Sequence, residues 1–172
     1  MKTILVKAPA PNHSIKLLAL AGVMVSLLGA PVAAWSSPTL LYDSYVSTPF
    51  VAGVRHGADP ALLVNGNNTG FLKFTLANSL PTGVTASDID KATLKLFIND
   101  VNNAGKLTVR QVNQDWLEHS IPFSGVSPTL DLVTPAKIFK IGKAYTRRWV
   151  ELDVTDIVKG WINLPATNKG IA

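Results

Sequence analysis

The chain has 172 residues, 47% hydrophobic and 16% charged, with no cysteine and a formal net charge of +5. So high an apolar content excludes an intrinsically disordered chain. The missing thiols exclude a disulfide scaffold, a zinc–thiolate centre and a cysteine nucleophile.

At the N-terminus, Lys2, Lys7 and Lys16 flank or precede an apolar run over residues 17–28, which Gly29, Pro31 and the small residues Val32, Ala33 and Ala34 follow. A basic opening, an apolar core of about a dozen residues and a small-residue end describe a secretory signal peptide, with cleavage expected after Ala34. The alternative is an uncleaved anchor, but the run falls short of the roughly 20 apolar residues of a spanning helix. Residues 1–34 are therefore expected to lie outside the fold, and residues 35–172 to form one domain. Without the leader's three lysines, thirteen basic and eleven acidic residues remain, a net charge of +2. Nucleic-acid binding thereby loses its main support. The expected location is secreted or at the cell surface, with no membrane span after cleavage.

From residue 35 onward, short β-like runs alternate with turn residues. The spacing predicts strands over 40–46, 61–64, 71–76, 91–98, 107–112, 138–141 and 149–153. Asn65-Gly66-Asn67-Asn68, Pro81-Thr82-Gly83, the 99–105 stretch and Ser127-Pro128 mark turns between them. In 71–76, Leu72, Phe74 and Leu76 share one face, and Phe71, Lys73 and Thr75 the other. In 91–98, Ala92, Leu94, Leu96 and Ile98 face inward, and Thr93, Lys95 and Phe97 outward. Val150 and Leu152 likewise leave Trp149 and Glu151 outside. Period-2 alternation of this kind belongs to antiparallel sheets with one wet face. Near the end, Val154, Ile157, Val158, Trp161 and Ile162 fall on one side of a 3.6-residue helix. Asp153 is its expected N-cap, and Trp161 is expected to plug one end of the core. The expected class is all-β: an antiparallel β-sandwich with one short C-terminal amphipathic helix.

Six segments carry a family resemblance. They are Asp43-Ser44-Tyr45-Val46; Phe71-Leu72-Lys73-Phe74; Ala92-Thr93-Leu94-Lys95-Leu96-Phe97-Ile98; Leu107-Thr108-Val109-Arg110-Gln111-Val112; Asp115-Trp116-Leu117-Glu118; and the run from Trp149 to Trp161 that contains Asp153-Val154-Thr155-Asp156. In this order they resemble the DNRLRE-type domain, also called carbohydrate-binding module family 96. The resemblance implies a jelly-roll sandwich, export, and no catalysis of its own. It also implies a polysaccharide partner, in some members an acidic one such as alginate. The sequence departs from the family pattern after Trp116, where Phe123 replaces a tryptophan and an asparagine is lost. It also stops at residues 168–172 where the family runs on into another strand, so a truncated domain with an unpaired edge is expected.

Catalytic signatures are missing. His13, His56 and His119 have no metal-ligand spacing, there is no nucleophile elbow or phosphate loop, and the glutamates Glu118 and Glu151 have structural readings. The chain is read as no enzyme. A structural Ca²⁺ is the ion left open, with Asp43 and Asp59 as its candidate ligands and no dense acidic loop to hold it. Sugar binding needs exposed aromatic faces beside hydrogen-bonding groups. The candidates are Tyr42, Tyr45, Trp116, Phe123, Tyr145 and Trp149, of which Trp116 reads first as a rim-packing residue and Trp149 as an outward strand position. Lys137, Lys140, Lys143, Arg147 and Arg148 fall within twelve residues that contain no acid, with Tyr145 among them. If that segment is a hairpin, Lys140, Lys143, Tyr145, Arg147 and Arg148 line a face suited to carboxylates. The leading expectation is a non-catalytic polysaccharide-binding module. The alternative is a structural or adhesive sandwich with no sugar ligand.

Overall fold

A computed structural model describes residues 3–7, 38–49, 54–77, 79–121 and 127–172, with side chains from residue 38 onward. The strands are β1 (Thr3–Lys7), β2 (Thr39–Ser47), β3 (Leu62–Asn65), β4 (Asn68–Thr75), β5 (Thr93–Val101), β6 (Gly105–Val109), β7 (Lys137–Ile141) and β8 (Arg148–Asp153). The helix α1 spans Thr155–Asn163. Each run predicted after residue 35 is a strand within a few residues of its expected bounds, and all pairings are antiparallel. The fold is all-β with one short C-terminal helix, as the patterning demands.

Six strands form one sheet in the order β2-β4-β3-β1-β5-β8, and β6 pairs with β7 in a second. Between the sheets lies the main core, with Leu72 and Phe74 from β4, Leu94 and Ile98 from β5, Leu107 and Val109 from β6, and Val150 and Leu152 from β8. These are the inward positions of the alternation. Burying each such aliphatic side chain contributes about 1.5–3 kcal/mol, which holds together strands that pair weakly on their own.

Phe71 departs from the pattern. It was expected on the wet face of β4, yet it is fully buried. A second cluster covers that face, in which Phe71 packs with Val46, Val112, Trp116 and Ile121. Val46 comes from β2, and Val112, Trp116 and Ile121 from the connection after β6, so the local alternation of β4 carries no sign of them.

At the C-terminal end, α1 buries Ile157, Val158 and Trp161. The Asp153 carboxylate accepts hydrogen bonds from the Thr155 N–H at 2.9 Å and the Thr155 hydroxyl at 2.6 Å. This holds the chain where strand becomes helix, although Val154 occupies the N-cap position itself. Donation by Thr155 also keeps the Asp153 carboxyl below the usual carboxylate range. Beyond the helix, residues 167–172 are stitched across the molecule. Ile171 exchanges backbone hydrogen bonds with Leu72, and Ala172 with Arg110. The tail thereby ties the long sheet to the extension of β6.

Thr3–Lys7, which the sequence assigns to the leader, forms the strand between β3 and β5. Its composition of Thr, Ile, Leu, Val and Lys suits a strand. Its backbone pairs two ladders that no other described strand reaches. The leader's apolar run over 17–28 and its expected cleavage site after Ala34 lie outside the described residues.

Candidate functional site

The outer face of β5 and β8 carries an aromatic platform. Among the described residues β8 is an edge strand paired with β5 alone, and Val150 and Leu152 point into the core. Period-2 geometry therefore turns Trp149 and Glu151 outward. Register places Phe97 opposite Trp149 and Lys95 opposite Glu151. The Phe97 and Trp149 rings meet edge to face, 5.4 Å apart at 64°. Trp149 nonetheless remains 52% exposed. Phe97 props the indole from one side, so an open face is held without being covered. Beside it the Lys95 ammonium lies 2.7 Å from the Glu151 carboxylate. That hydrogen bond draws the Glu151 carboxyl below its ordinary range. A flat apolar surface bordered by a donor and an acceptor matches a sugar ring, whose face is apolar and whose rim bears hydroxyls.

The basic segment is arranged differently from the expected hairpin. β7 pairs with β6, whereas β8 pairs with β5, so the chain crosses from one sheet to the other between them. A single 3₁₀ turn over Lys143–Tyr145 makes the crossing. Two hydrogen bonds pin it to the end of β5, from the Arg147 N–H to the Ile98 carbonyl at 2.7 Å and from the Val101 N–H to the Thr146 hydroxyl at 3.1 Å. Tyr145 rests edge-on against Phe139. Arg147 adopts φ +58°, the left-handed region, which breaks the strand alternation just before β8.

Crossing disperses the cations over one end of the sandwich instead of along one ribbon. Lys140 sits directly opposite Lys106 of β6. Both side chains are exposed and line a cleft with Asn65, Gly66, Asn103 and Ala104. Like charges opposite each other in a ladder repel, so an anion between them relieves a standing cost. Among the described residues no acid pairs with Lys106, Lys140, Lys143, Arg147 or Arg148. Lys137 differs, because it is held by Asp156 at 2.6 Å.

The remaining sequence candidates separate from this end. Trp116 is a correction: it is only 4% exposed, packs against Tyr42 and Phe71, and donates its indole N–H to the Lys169 carbonyl at 2.8 Å. It offers no open face. Trp161 is buried, as expected. Phe123 lies outside the described residues. Asp59 accepts a hydrogen bond from His56 Nδ1 at 2.8 Å, and Asp43 lies in β2 opposite Leu72. Among the described residues no group of three or more His, Asp or Glu side chains is assembled for a metal.

Tyr45 stacks on His56 with ring centroids 3.7 Å apart. Burial, followed by hydrogen bonding to Asp59, pushes its phenol up to about 12. The folded value lies above the ordinary 10, so this contribution is intact below about pH 10 and is lost as pH rises towards about 12. A spectrophotometric titration is expected to show one late phenolate step, missing from Tyr45→Phe. Ionisation of all tyrosines near pH 10 would contradict this environment.

Sequence reasoning missed Lys106 and the partnership of Lys95 and Phe97 with β8. The outward alternation of both strands was visible. Which outward residues become neighbours depends on register, which only the pairing supplies.

A model of one protein family, described as carbohydrate-binding module family 96, matches residues 34–171. No curated protein and no solved structure matches the chain.

Proposed function

The chain belongs to carbohydrate-binding module family 96, and on that premise we propose that it is a non-catalytic module, exported to the cell surface or medium, that holds an acidic polysaccharide such as alginate. The observation that carries this reading is Trp149, half exposed on the outer face of β5 and β8, propped by Phe97 and bordered by Lys95 and Glu151. The unpaired cations at the adjacent end of the sandwich favour an acidic chain over a neutral one. The two sheets suit the jelly-roll plan, whose antiparallel strands provide flat, rigid outer faces. Among the described residues no helix is long and apolar enough to cross a membrane.

In mechanism, a sugar ring lies on the Trp149 indole and excludes water from it. Covering one face of an indole, roughly 100 Å² at about 25 cal/mol per Å², contributes on the order of 2.5 kcal/mol before ordering costs are subtracted. Lys95 and Glu151 orient the ring through its hydroxyls. Successive uronate carboxylates reach the end bearing Arg147, Arg148, Lys140 and Lys106. Arginine binds a carboxylate through two parallel hydrogen bonds, whereas lysine supplies a point charge.

Affinity electrophoresis through gels containing alginate or a neutral glucan tests the reading. The wild-type chain is expected to be retarded by alginate more than by the glucan. Reversing charge in Arg147→Glu/Arg148→Glu is expected to remove most of the alginate retardation, and added salt to weaken it. Equal migration of both proteins in alginate would exclude this end as the carboxylate site. The same migration with and without any polysaccharide would favour a structural or adhesive sandwich instead.

A further inference from the structure

At the edge of the long sheet away from β8, residues of β2, β4 and α1 border a cleft of about 460 Å³. Its apolar walls are Leu41 of β2, Phe74 of β4, Leu76 and Leu80 of the connection that follows, Ile162 of α1 and Pro165 just beyond it. The ladder between β2 and β4 shifts register between Leu40 and Tyr42, and the skipped Leu41 stays 46% exposed. Polar residues line the cleft as well. The Lys73 ammonium is held by Asp115 at 3.4 Å, and the Thr75 hydroxyl accepts the Ala77 N–H at 3.1 Å. Asn168 donates its side-chain N–H to the Phe74 carbonyl at 2.9 Å, which fixes the orientation of the amide. The amide oxygen of Asn168 is buried with no hydrogen-bond partner among the described residues, and so is the indole N–H of Trp161. Among the described residues only three buried side-chain atoms are orphaned in this way. Two of the three belong to residues that line this one cleft, an acceptor and a donor.

We propose that this cleft is a second ligand site, separate from the β5–β8 platform, and that it takes a neutral sugar unit. A buried donor or acceptor without a partner is a standing cost that a matching ligand removes. The orphan pair calls for one group that accepts from the Trp161 N–H and one that donates to the Asn168 oxygen. A hydroxyl does either, and a sugar ring carries several side by side. The ring's C–H face meets the aliphatic walls. Charge separates neutral from acidic units. The one ammonium lining the cleft is already paired with Asp115, so no unpaired cation offsets the burial of a carboxylate. A 6-deoxyhexose suits the walls best, because its methyl group adds apolar contact while the ring keeps its hydroxyls. The volume falls within the usual span of small-molecule sites, roughly 300–1,000 Å³. Together with the hold on an acidic chain proposed for the opposite edge, the consequence is bivalency: one module engages two kinds of glycan unit at once.

Proton–nitrogen correlation spectra of the full chain, titrated with methyl α-L-rhamnoside, test the site. The Trp161 indole signal, assigned by its loss in Trp161→Phe, is expected to shift and saturate, and the Asn168 side-chain amide signals to follow the same curve. Galacturonate at equal concentrations is expected to move neither. Leu41→Arg adds bulk and charge at an exposed wall position, so it is expected to keep the fold and weaken rhamnoside binding roughly tenfold. Should Trp161→Phe fail to fold, the Asn168 amide signals and the Leu41→Arg comparison still decide. Alginate oligosaccharides are expected to move the Trp149 indole signal and leave that of Trp161 in place, which separates failure of this cleft from failure of the platform. Trp161 and Asn168 signals that stay fixed under rhamnoside would overturn the proposal, and a persistent cross-peak from the indole N–H to water would then assign the orphan pair to a buried water. An equal response to galacturonate, or an unweakened one in Leu41→Arg, would overturn it as well.

Discussion

Trp161→Ala is expected to lower stability by about 3–5 kcal/mol, the range for deleting a large buried aromatic. The indole is 2% exposed and joins α1 to Phe74 and the strands of the main core. A helix of nine residues is marginal by itself, so its order depends on this contact. For a domain of this size, such a loss lowers the melting temperature by roughly 10–15 °C. Thermal and urea unfolding followed by circular dichroism measure it. A comparison with Trp161→Phe separates packing from hydrogen bonding. Among the described residues the indole N–H is buried with no partner, and an orphan donor costs about 1–3 kcal/mol. Phenylalanine removes that donor while keeping most of the ring, so its cost is expected to be well below that of alanine. Equal losses in both variants would show that the indole N–H is satisfied in solution.

Gly170→Ala has the second largest expected effect, on the order of 3 kcal/mol or more. Gly170 has φ +93°, and a Cβ there would overlap the Leu72 carbonyl oxygen, with the Lys73 Cα at 3.1 Å. Neither backbone can retreat without breaking the pairing between Ile171 and Leu72. The neighbouring bonds fall with it: Val112 N–H to the Gly170 carbonyl at 2.9 Å, and the exchange between Arg110 and Ala172. Trp116 is also at risk, because its indole N–H reaches the Lys169 carbonyl. Urea denaturation gives the loss. Amide exchange at Leu72, Arg110 and Val112 locates it, since these three are expected to speed up before the amides of β5 and β8. Unchanged protection at all three would show that the tail does not hold the two sheets together.

Legibility followed the range of the forces involved. Inward positions of β5 and β8 were readable because alternation is local, although Thr93, expected on the wet face of β5, is buried at the start of the strand. The same rule placed Trp149 outside, and the structure leaves it there. Phe71 defeated the rule because Trp116 and Ile121, distant in sequence, cover the second face of β4. Trp116, read first as a rim-packing residue and kept as a binding candidate, is lost to binding because Tyr42 and Phe71 pack against it. The basic run lines one face only on the condition that it is a hairpin, and two consecutive strand-like runs do not say whether the second returns to the same sheet. Lys106 emerged only with the register of β6 against β7. The helix stripe was legible throughout, and Asp153 acts at its start through Thr155 instead of occupying the N-cap itself.

Isothermal titration of wild type and Trp149→Ala with alginate oligosaccharides bears most directly on sugar stacking at the β5–β8 face. Unfolding curves run alongside establish that the exposed indole can be removed without loss of fold. The expected result is at least a tenfold weaker Kd, about 1.4 kcal/mol, with an unaltered melting temperature. Matching affinities in the two proteins, both fully folded, would contradict the account.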